Sequence, residues 1–541
     1  VTEWQRLFPE AGLPPAEALR VLEDFYGDDA EVLSERAGAL SRVLGEFARQ
    51  FGGEREVVLV RSPGRINLMG RHIDWQGGRC NLMAVTQEVV MVAGPRNDDH
   101  IEARNVAADQ FPDARITLGE MVSRLAWDDW MSVVDSGELH RHLREQEGHW
   151  RLYIEAAMLR LQMAFRTRAL QGMDLAVLGN IPPAAGMSSS SALVVATAEA
   201  AVSLNNLDVS PQQFVNFCGE GEWFVGTRGG SADHAAMKLG RKGTVNHVEF
   251  HDFRLIERLE LPSTHKLVVA NSLVLAKKAV GARATFNARV GSYLVGLELI
   301  RARFPRQAPF IRLIRDLNPE ALGLNASWIY QVLLELPLAV TARWVRERFQ
   351  GDGEAWSRLA PHFAQAAGDN EYPVRGVVMF GIAECARSRQ AAELLRQGDL
   401  PGVGELMRIS HDGERCFRTR GPGPAQPFAV DISDAALRQL VEDLASGDPV
   451  RQTNARLERQ PGAYRASTEE VDTLVDLANA VPGVLGAQIA GAGLGGCAMI
   501  LAENDAVSAL CDRLHREYYD ARGLPRSVLV CRASAGSGLI D

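Results

Sequence analysis

The heptapeptide Gly186-Met187-Ser188-Ser189-Ser190-Ser191-Ala192 opens an apolar run that continues through residues 193–201. Glycine and serine crowd the point where an irregular loop gives way to a predicted helix. Backbone N–H groups in a first helical turn have no intrahelical acceptor, and the helix dipole adds partial positive charge there. Small side chains let an anion reach those donors. The stretch therefore reads as a phosphate cradle built from Gly186, Ser188, Ser189, Ser190 and Ser191. A serine-rich N-cap with no ligand gives the same letters.

Two other segments bear on that choice. Arg61-Ser62-Pro63-Gly64-Arg65-Ile66-Asn67-Leu68-Met69-Gly70-Arg71-His72-Ile73-Asp74-Trp75-Gln76-Gly77-Gly78 follows a β-branched run at 57–60 that predicts a strand. Three arginines, a histidine and an aspartate beside strands are costly in a core and natural in a pocket for a polyhydroxylated ligand. Near the other end, Gly491-Ala492-Gly493-Leu494-Gly495-Gly496 lies between two apolar runs and predicts a tight hairpin.

Taken in order, the three segments resemble the GHMP kinases, and within them the galactokinase branch. That branch carries P-G-R-x-N-L-x-G-E-H-x-D-Y-x-G-G, then P-x-G-x-G-L-S-S-S-A-S, then G-A-R-x-T-G-x-G-x-G-G-C. Gly226-Thr227-Arg228-Gly229-Gly230-Ser231-Ala232-Asp233-His234 is similar to the family's G-x-x-x-G-x-x-D-Q. Asn271-Ser272 with Phe286-Asn287-Ala288-Arg289 resembles N-S…Y-N-x-R, and Leu406-Met407-Arg408-Ile409-Ser410-His411 matches L-M-x-x-S-H. The six matches run from Pro63 to Cys497 in the family's order. The Gly-x4-Gly-Lys-Ser/Thr phosphate loop is absent from the sequence, which excludes a P-loop ATPase.

Length and composition agree with a soluble enzyme. The 541 residues predict two or three domains, and 46% hydrophobic with 23% charged content is ordinary for a globular chain. A net charge of −10 argues against a nucleic-acid partner. Seven scattered cysteines without a C-x-x-C predict neither a disulfide framework nor a zinc site, and point to the cytoplasm. No apolar run reaches the ~18–20 residues that span a bilayer, and the N-terminal stretch lacks a basic-then-apolar signal pattern. The oligomeric state leaves no mark in the sequence.

The resemblance implies an α+β chain of two lobes with helical extra segments. A ribosomal S5 domain 2-like N-terminal lobe holds ATP and sugar, and a ferredoxin-like lobe follows. Residues 1–50 carry apolar positions at helical spacing, as in Ala18, Leu19, Val21, Leu22 and Phe25, and form a helical extension. The N-terminal lobe is expected over 51–262 and the C-terminal lobe over 263–541. The latter includes a helical insertion at about 300–370, with a helix at 329–349, and a loop-rich insertion at about 413–462.

The family match implies ATP as phosphoryl donor, Mg²⁺ as its counterion and a small sugar as acceptor. Asp233 is then the catalytic base and Arg65 the cation beside it, while Gly230 belongs to the substrate loop. An aspartate before His234-Ala235-Ala236-Met237 is equally a good N-cap. Ser190 supplies a hydroxyl to the metal. The second ligand falls at Glu220 or Glu222, with Glu222 preferred, although an ungapped match puts Gly221 on that spot. Pro183-Ala184-Ala185 replaces L-G-A, with loss of a glycine at Ala184.

His72 and Asp74 match the family's sugar-binding pair. The family glutamate before them is replaced by Arg71, and Phe286 stands for a sugar-facing tyrosine. An arginine fork suits a carboxylate or phosphate. A substrate that is anionic at its far end, such as a uronic acid or a sugar phosphate, is one expectation. The other is that Arg71 pairs with an internal acid and the substrate is neutral galactose. A non-catalytic sensor of sugar and ATP on the same fold is the rival from another class. Trp127, Trp130 and Trp150 read as packing residues, and His140, His142 and His149 as surface.

Overall fold

The β-branched run at 57–60 does not stop where the polar segment begins. It forms the strand Val58–Met69, which carries Pro63 and Gly64 in its interior. The structure, a computed structural model, describes residues 1–9, 14–182, 186–226, 229–274, 280–364, 366–419 and 424–540, with only the backbone of 280–283. Pro183, Ala184, Ala185, Thr227 and Arg228 of the segments quoted above lie outside the described residues.

The chain divides into two units. One comprises Val1–Asn67, Leu82–Val248 and Cys531–Asp541; the other comprises Leu68–Asn81 and Glu249–Val530. The boundary near 248 lies close to the expected division at 262, but residues 68–81 belong to the second unit and the C-terminal residues return to the first.

In the first unit the strand order is Gly538–Ile540, Val58–Met69, Arg79–Pro95, Met173–Gly179, His100–Asn105, Ala114–Thr117, with Thr244–Glu249 also paired to Arg79–Pro95. The C-terminal strand runs antiparallel to the first, Leu59 opposite Ile540. Helices Arg151–Ala164 and Ser189–Leu204 are buried along most of their length, the second through the unbroken run 191–201.

The N-terminal residues form the helices Thr2–Leu7, Ala16–Tyr26 and Ala30–Phe51, and they are part of this unit's core. Asp29 caps the helix Ala30–Phe51 by accepting from the amides of Glu31 and Val32. Val43, Leu44 and Phe47 of that helix pack on Val90, Val92 and Ala176 of the sheet, each such burial contributing on the order of 2 kcal/mol. A buried polar knot ties the layers: Arg61 meets Glu88 at 2.8 Å and donates to the carbonyls of Ala535 and Gly536, and Tyr26 donates to Glu88.

The second unit holds an antiparallel sheet in the order Val484–Ala490, Cys497–Glu503, His265–Asn271, Val528–Cys531. The glycine loop is the turn of the expected hairpin, with Ala490 opposite Cys497. Helix Leu400–Glu414 crosses this sheet backbone to backbone: a Cβ on Gly486 would sit 2.1 Å from the carbonyl oxygen of Gly404. The remaining helices include Val280–Arg303, Val374–Gln397 and Asp434–Ala445. The helix expected over 329–349 is two helices, Ala326–Leu334 and Ala342–Phe349. Pro337 cannot continue the first, and Val340–Thr341 instead pairs with Glu371–Tyr372.

Candidate active site

The serine stretch is the N-terminus of a sixteen-residue helix, Ser189–Leu204. Gly186 and Ser188 both take left-handed backbone, at φ 67° and 57°. That conformation is routine for glycine and unusual for serine, and it marks a loop held in place by its surroundings. Gly64 explains part of the hold: a Cβ there would lie 3.3 Å from the carbonyl oxygen of Met187, which instead accepts from the amide of Arg65 at 3.2 Å. The amides of Ser189, Ser190 and Ser191 lie in the turn that helical geometry leaves without acceptors. All of Gly186, Ser188, Ser189 and Ser190 are partly exposed.

Asp233 stands beside this loop. Arg65 donates from Nε to Oδ1 at 2.6 Å and from Nη2 to Oδ2 at 2.7 Å, and Ser188 donates its hydroxyl to Oδ2. Arg65 also donates to the carbonyl of Gly186, so one guanidinium links the loop to the carboxylate. Burial alone would raise the Asp233 pKa; Arg65, the Ser188 bond and His234 outweigh it, and the carboxyl lies below its ordinary value. Its side chain keeps 29% exposure, enough to meet a ligand. The alternative role as a helix cap is not what the residue does. Ser231 occupies the N-cap of Ala232–Leu239, and Asp233 lies inside the first turn with its oxygens on Arg65 and Ser188. Gly230 is partly exposed next to Gly229, whose carbonyl accepts from Trp223.

The two candidate metal-binding glutamates face different ways. Glu220 is held by Arg160 at 2.6 and 2.8 Å, and that guanidinium lies over Trp130 and Phe217. Glu222 accepts from the Ser191 hydroxyl at 2.8 Å and lies 3.6 Å from His234 Nε2. The residue between them is glycine because helix Arg151–Ala164 passes close: a Cβ on Gly221 would be 3.2 Å from the Ala156 carbonyl oxygen. The serine that touches Glu222 is Ser191, one position beyond Ser190. A hydroxyl and a carboxylate at a helix N-terminus form a donor set that fits Mg²⁺, which takes few protein oxygens beside water and phosphate. No group of three or more His, Cys, Asp or Glu among the described residues forms a denser metal site.

In the second unit, residues 68–81 form a turn clamped from beneath. Gly70 has φ 104°, and a Cβ there would lie 2.5 Å from the Arg79 carbonyl oxygen. Glu384 accepts from the amides of Gly70 and Arg71 at 2.9 and 3.3 Å, and from Arg387 and Ser410 at 2.8 and 2.9 Å. Arg71 is 2% exposed; its Nη2 donates to Ser410 at 2.8 Å and its Nε lies 3.9 Å from Glu414. An internal acid therefore faces Arg71, the second of the two arrangements expected. His72, at φ 61°, stacks on Tyr464 with ring centres 4.1 Å apart and puts Nε2 2.9 Å from Glu414 Oε1, close but poorly aligned for a hydrogen bond. Burial opposes ionisation of Glu414, yet His72 and Arg71 overcome it and the pKa falls below the ordinary value.

Asp74 is half-buried on the short helix Asp74–Gln76. Phe286 is half-buried on Val280–Arg303, whose Arg289 donates to the carbonyls of Tyr464 and Arg465. The glycine hairpin reaches the same segment, since Leu494 donates to the Ala466 carbonyl at 2.6 Å and Ala466 donates to Glu414 at 3.3 Å. Ser410 and His411 do not form a hydrolytic pair: Ser410 bonds Glu384, and His411 lies 3.1 Å from Asp472. His142, expected at the surface, is partly buried against Glu155 at 2.7 Å. Glu384, Glu414 and Tyr464 were not legible as site residues, although an acid and arginine at 384 and 387 inside an apolar helix are a signal of buried pairing.

Comparison with known proteins gives three family matches. Residues 45–95 match a galactokinase galactose-binding signature, 152–241 the GHMP kinase N-terminal domain and 432–521 the GHMP kinase C-terminal domain. The chain is 26% identical over 498 residues to a galactokinase of Roseiflexus sp. (strain RS-1), covering 92% of this chain and 96% of that one. It is 23% identical over 478 residues to a galactokinase of Dictyostelium discoideum, covering 87% and 86%. In fold it is similar to Lactococcus lactis galactokinase in complex with galactose, with a TM-score of 0.63, 22% identity and coverage of 92% and 99%. No helix among the described residues is long and apolar enough to cross a membrane.

Proposed function

We propose that this chain, which belongs to the GHMP kinases and is a sugar kinase of the galactokinase-like kind, transfers the terminal phosphoryl group of ATP to the anomeric hydroxyl of galactose. The observation that carries the reading is the doubly bonded Arg65–Asp233 pair beside the serine loop at a helix N-terminus. Phosphoryl transfer asks the protein mainly to position the acceptor and to stabilise charge.

Each part of that task has a residue. The amides of Ser189 to Ser191 and the helix dipole favour a polyphosphate. Glu222, with Ser190 as the hydroxyl indicated by the family match, would hold Mg²⁺, and Ser191 orients the Glu222 carboxylate. When bound, Mg-ATP supplies the transferable phosphoryl group and its charge neutralisation. Asp233 accepts the hydrogen bond of the acceptor hydroxyl and aims it. An aspartate of low pKa is a weak base toward an alcohol, so orientation is its larger service. Arg65 keeps Asp233 ionised and presents positive charge where negative charge grows.

The acceptor is read as neutral. Arg71 is buried, bonded to Ser410 and faced by Glu414, which supports galactose over a uronic acid or sugar phosphate. His72, Asp74, Gly230 and Phe286 are the remaining sugar-side groups in this reading. An ADP-release assay over galactose, glucose, galacturonate and galactose 6-phosphate tests it, with phosphorus NMR to locate the product phosphate. Galactose-dependent ADP release with a C1 phosphate is expected. Absence of sugar-dependent release, with ATP and sugar still bound, would replace the kinase by a sensor.

A further inference from the structure

We propose that Glu414 is a positioning residue that sets the preference for an uncharged sugar, by answering the charge of Arg71 and holding His72. The inference rests on the reading of Arg71, His72 and Asp74 as sugar-side groups.

The buried charges beneath residues 70–72 are two arginines, Arg71 and Arg387, and two glutamates, Glu384 and Glu414. Glu384 is saturated. Its Oε1 accepts the amides of Gly70 and Arg71, and its Oε2 accepts Arg387 and Ser410. Glu384 feels the Arg71 charge and reaches it through Ser410, while Glu414 is the carboxylate that faces the guanidinium directly; its Nε and Nη1 have no hydrogen-bond partner among the described residues. The same oxygen of Glu414 that approaches Arg71 Nε at 3.9 Å approaches His72 Nε2 at 2.9 Å. Glu414 itself is fully buried, so it acts on a ligand only through these two neighbours.

Position 414 therefore does two things at once. It balances Arg71, which leaves no unanswered positive charge to attract a substrate carboxylate. It also places a fixed negative charge behind the His72 ring, which disfavours an anion on the other side of it. The stack of His72 on Tyr464 and the left-handed backbone at 72 keep the ring in that orientation. Removal of the Glu414 charge leaves Arg71 as an unmatched cation beside the sugar-side turn.

The test compares kcat and KM of the full chain on galactose and galacturonate for the wild type, Glu414→Gln, Glu414→Asp and the double variant Arg71→Met/Glu414→Met. In Glu414→Gln the galacturonate-to-galactose ratio of kcat/KM rises about tenfold, mainly through KM, as the strength of one charge contact implies. Glu414→Asp restores most of the wild-type ratio, and the double variant, which strands no charge, returns close to it. A ratio unchanged in Glu414→Gln overturns the proposal.

Because a stranded buried charge can prevent folding, the Tm of ligand-free Arg71→Met, Glu414→Met and their combination is measured as well. Coupling predicts a double-variant loss well below the sum of the single losses. Additive losses overturn the proposal without any sugar present. A wild type that turns over neither sugar defeats the proposed function instead, and the thermal cycle still decides whether Glu414 answers Arg71.

Discussion

Arg65 and Asp233, 168 positions apart in sequence, meet through two parallel hydrogen bonds of 2.6 and 2.7 Å. A forked pair of this kind fixes both the position and the charge of the carboxylate. Loss of the fork by Arg65→Gln allows the burial effect on Asp233 to prevail. The acidic limb of the kcat profile then moves to higher pH, and kcat falls by about 100-fold. A limb that stays in place in Arg65→Gln would separate Asp233 from the rate.

Asp233→Asn keeps the shape and removes the charge. With orientation and proton acceptance both impaired, kcat drops by about 10²–10⁴ while ATP affinity changes little. Single-turnover phosphorylation and binding of a fluorescent ATP analogue separate the two quantities. Retention of a tenth of wild-type kcat would assign the task to another group.

Glu222 and Glu220 differ in what they face, and the difference is measurable. If Glu222 holds Mg²⁺ as proposed, Glu222→Gln raises the Mg²⁺ concentration for half-maximal rate by about tenfold or more, through loss of a charged ligand oxygen. Glu220→Gln leaves that midpoint in place and weakens only the Arg160 pair, which is partly exposed and worth little. Equal shifts in the two variants would show that neither carboxylate holds the metal selectively.

Much of this site was legible before any coordinates, and for a physical reason. A phosphate cradle draws on backbone amides, small residues and a helix start, all of which are local in sequence; the helix start after Gly186 to Ser188 is therefore legible there. The N-terminal start of the glycine hairpin at Gly491 is local in the same sense. Partners across the fold are different. Nothing near Arg71 in sequence indicates that Glu384 accepts from its amide and that Glu414 faces its guanidinium, both from more than three hundred positions away. The same holds for Ser188: its backbone reads as part of the phosphate cradle, and nothing in that reading puts its hydroxyl on Asp233. Helix boundaries failed where a single proline decides, as at Pro337. The strand through Pro63 and Gly64 is not legible because neither residue favours strands, yet Gly64 lies against the serine loop, where a Cβ would be 3.3 Å from the Met187 carbonyl oxygen.

Gly70 tests how rigid the sugar-side turn must be. An alanine there would take strained backbone at φ 104° and drive a methyl to 2.5 Å from the Arg79 carbonyl oxygen. Strain and overlap together cost about 2–4 kcal/mol. Urea unfolding of Gly70→Ala reads the loss, and a midpoint equal to the wild type would mean that the turn relaxes freely.

The buried acids give stability a pH dependence with a definite sign. Burial raises the pKa of Glu384 and Glu414, but Arg387, Arg71 and the Gly70 amide for the first, and His72 and Arg71 for the second, pull both below the ordinary 4.5. A carboxylate depressed in the folded state binds fewer protons folded than unfolded. Its contribution is complete above about pH 5 and is lost as pH falls through the folded value. His411 acts in a higher window. Burial, only partly offset by Asp472, lowers its pKa from 6.5, so it too favours the folded state at high pH and loses that contribution as pH drops below 6.5. Urea midpoints should therefore decline in two stages, first below pH 6.5 and again below 4.5. His411→Gln removes the first stage, and Glu384→Gln with Glu414→Gln flattens the second at the expense of stability at neutral pH. A midpoint constant from pH 7 to pH 4 would mean that these groups ionise alike in the folded and unfolded chain.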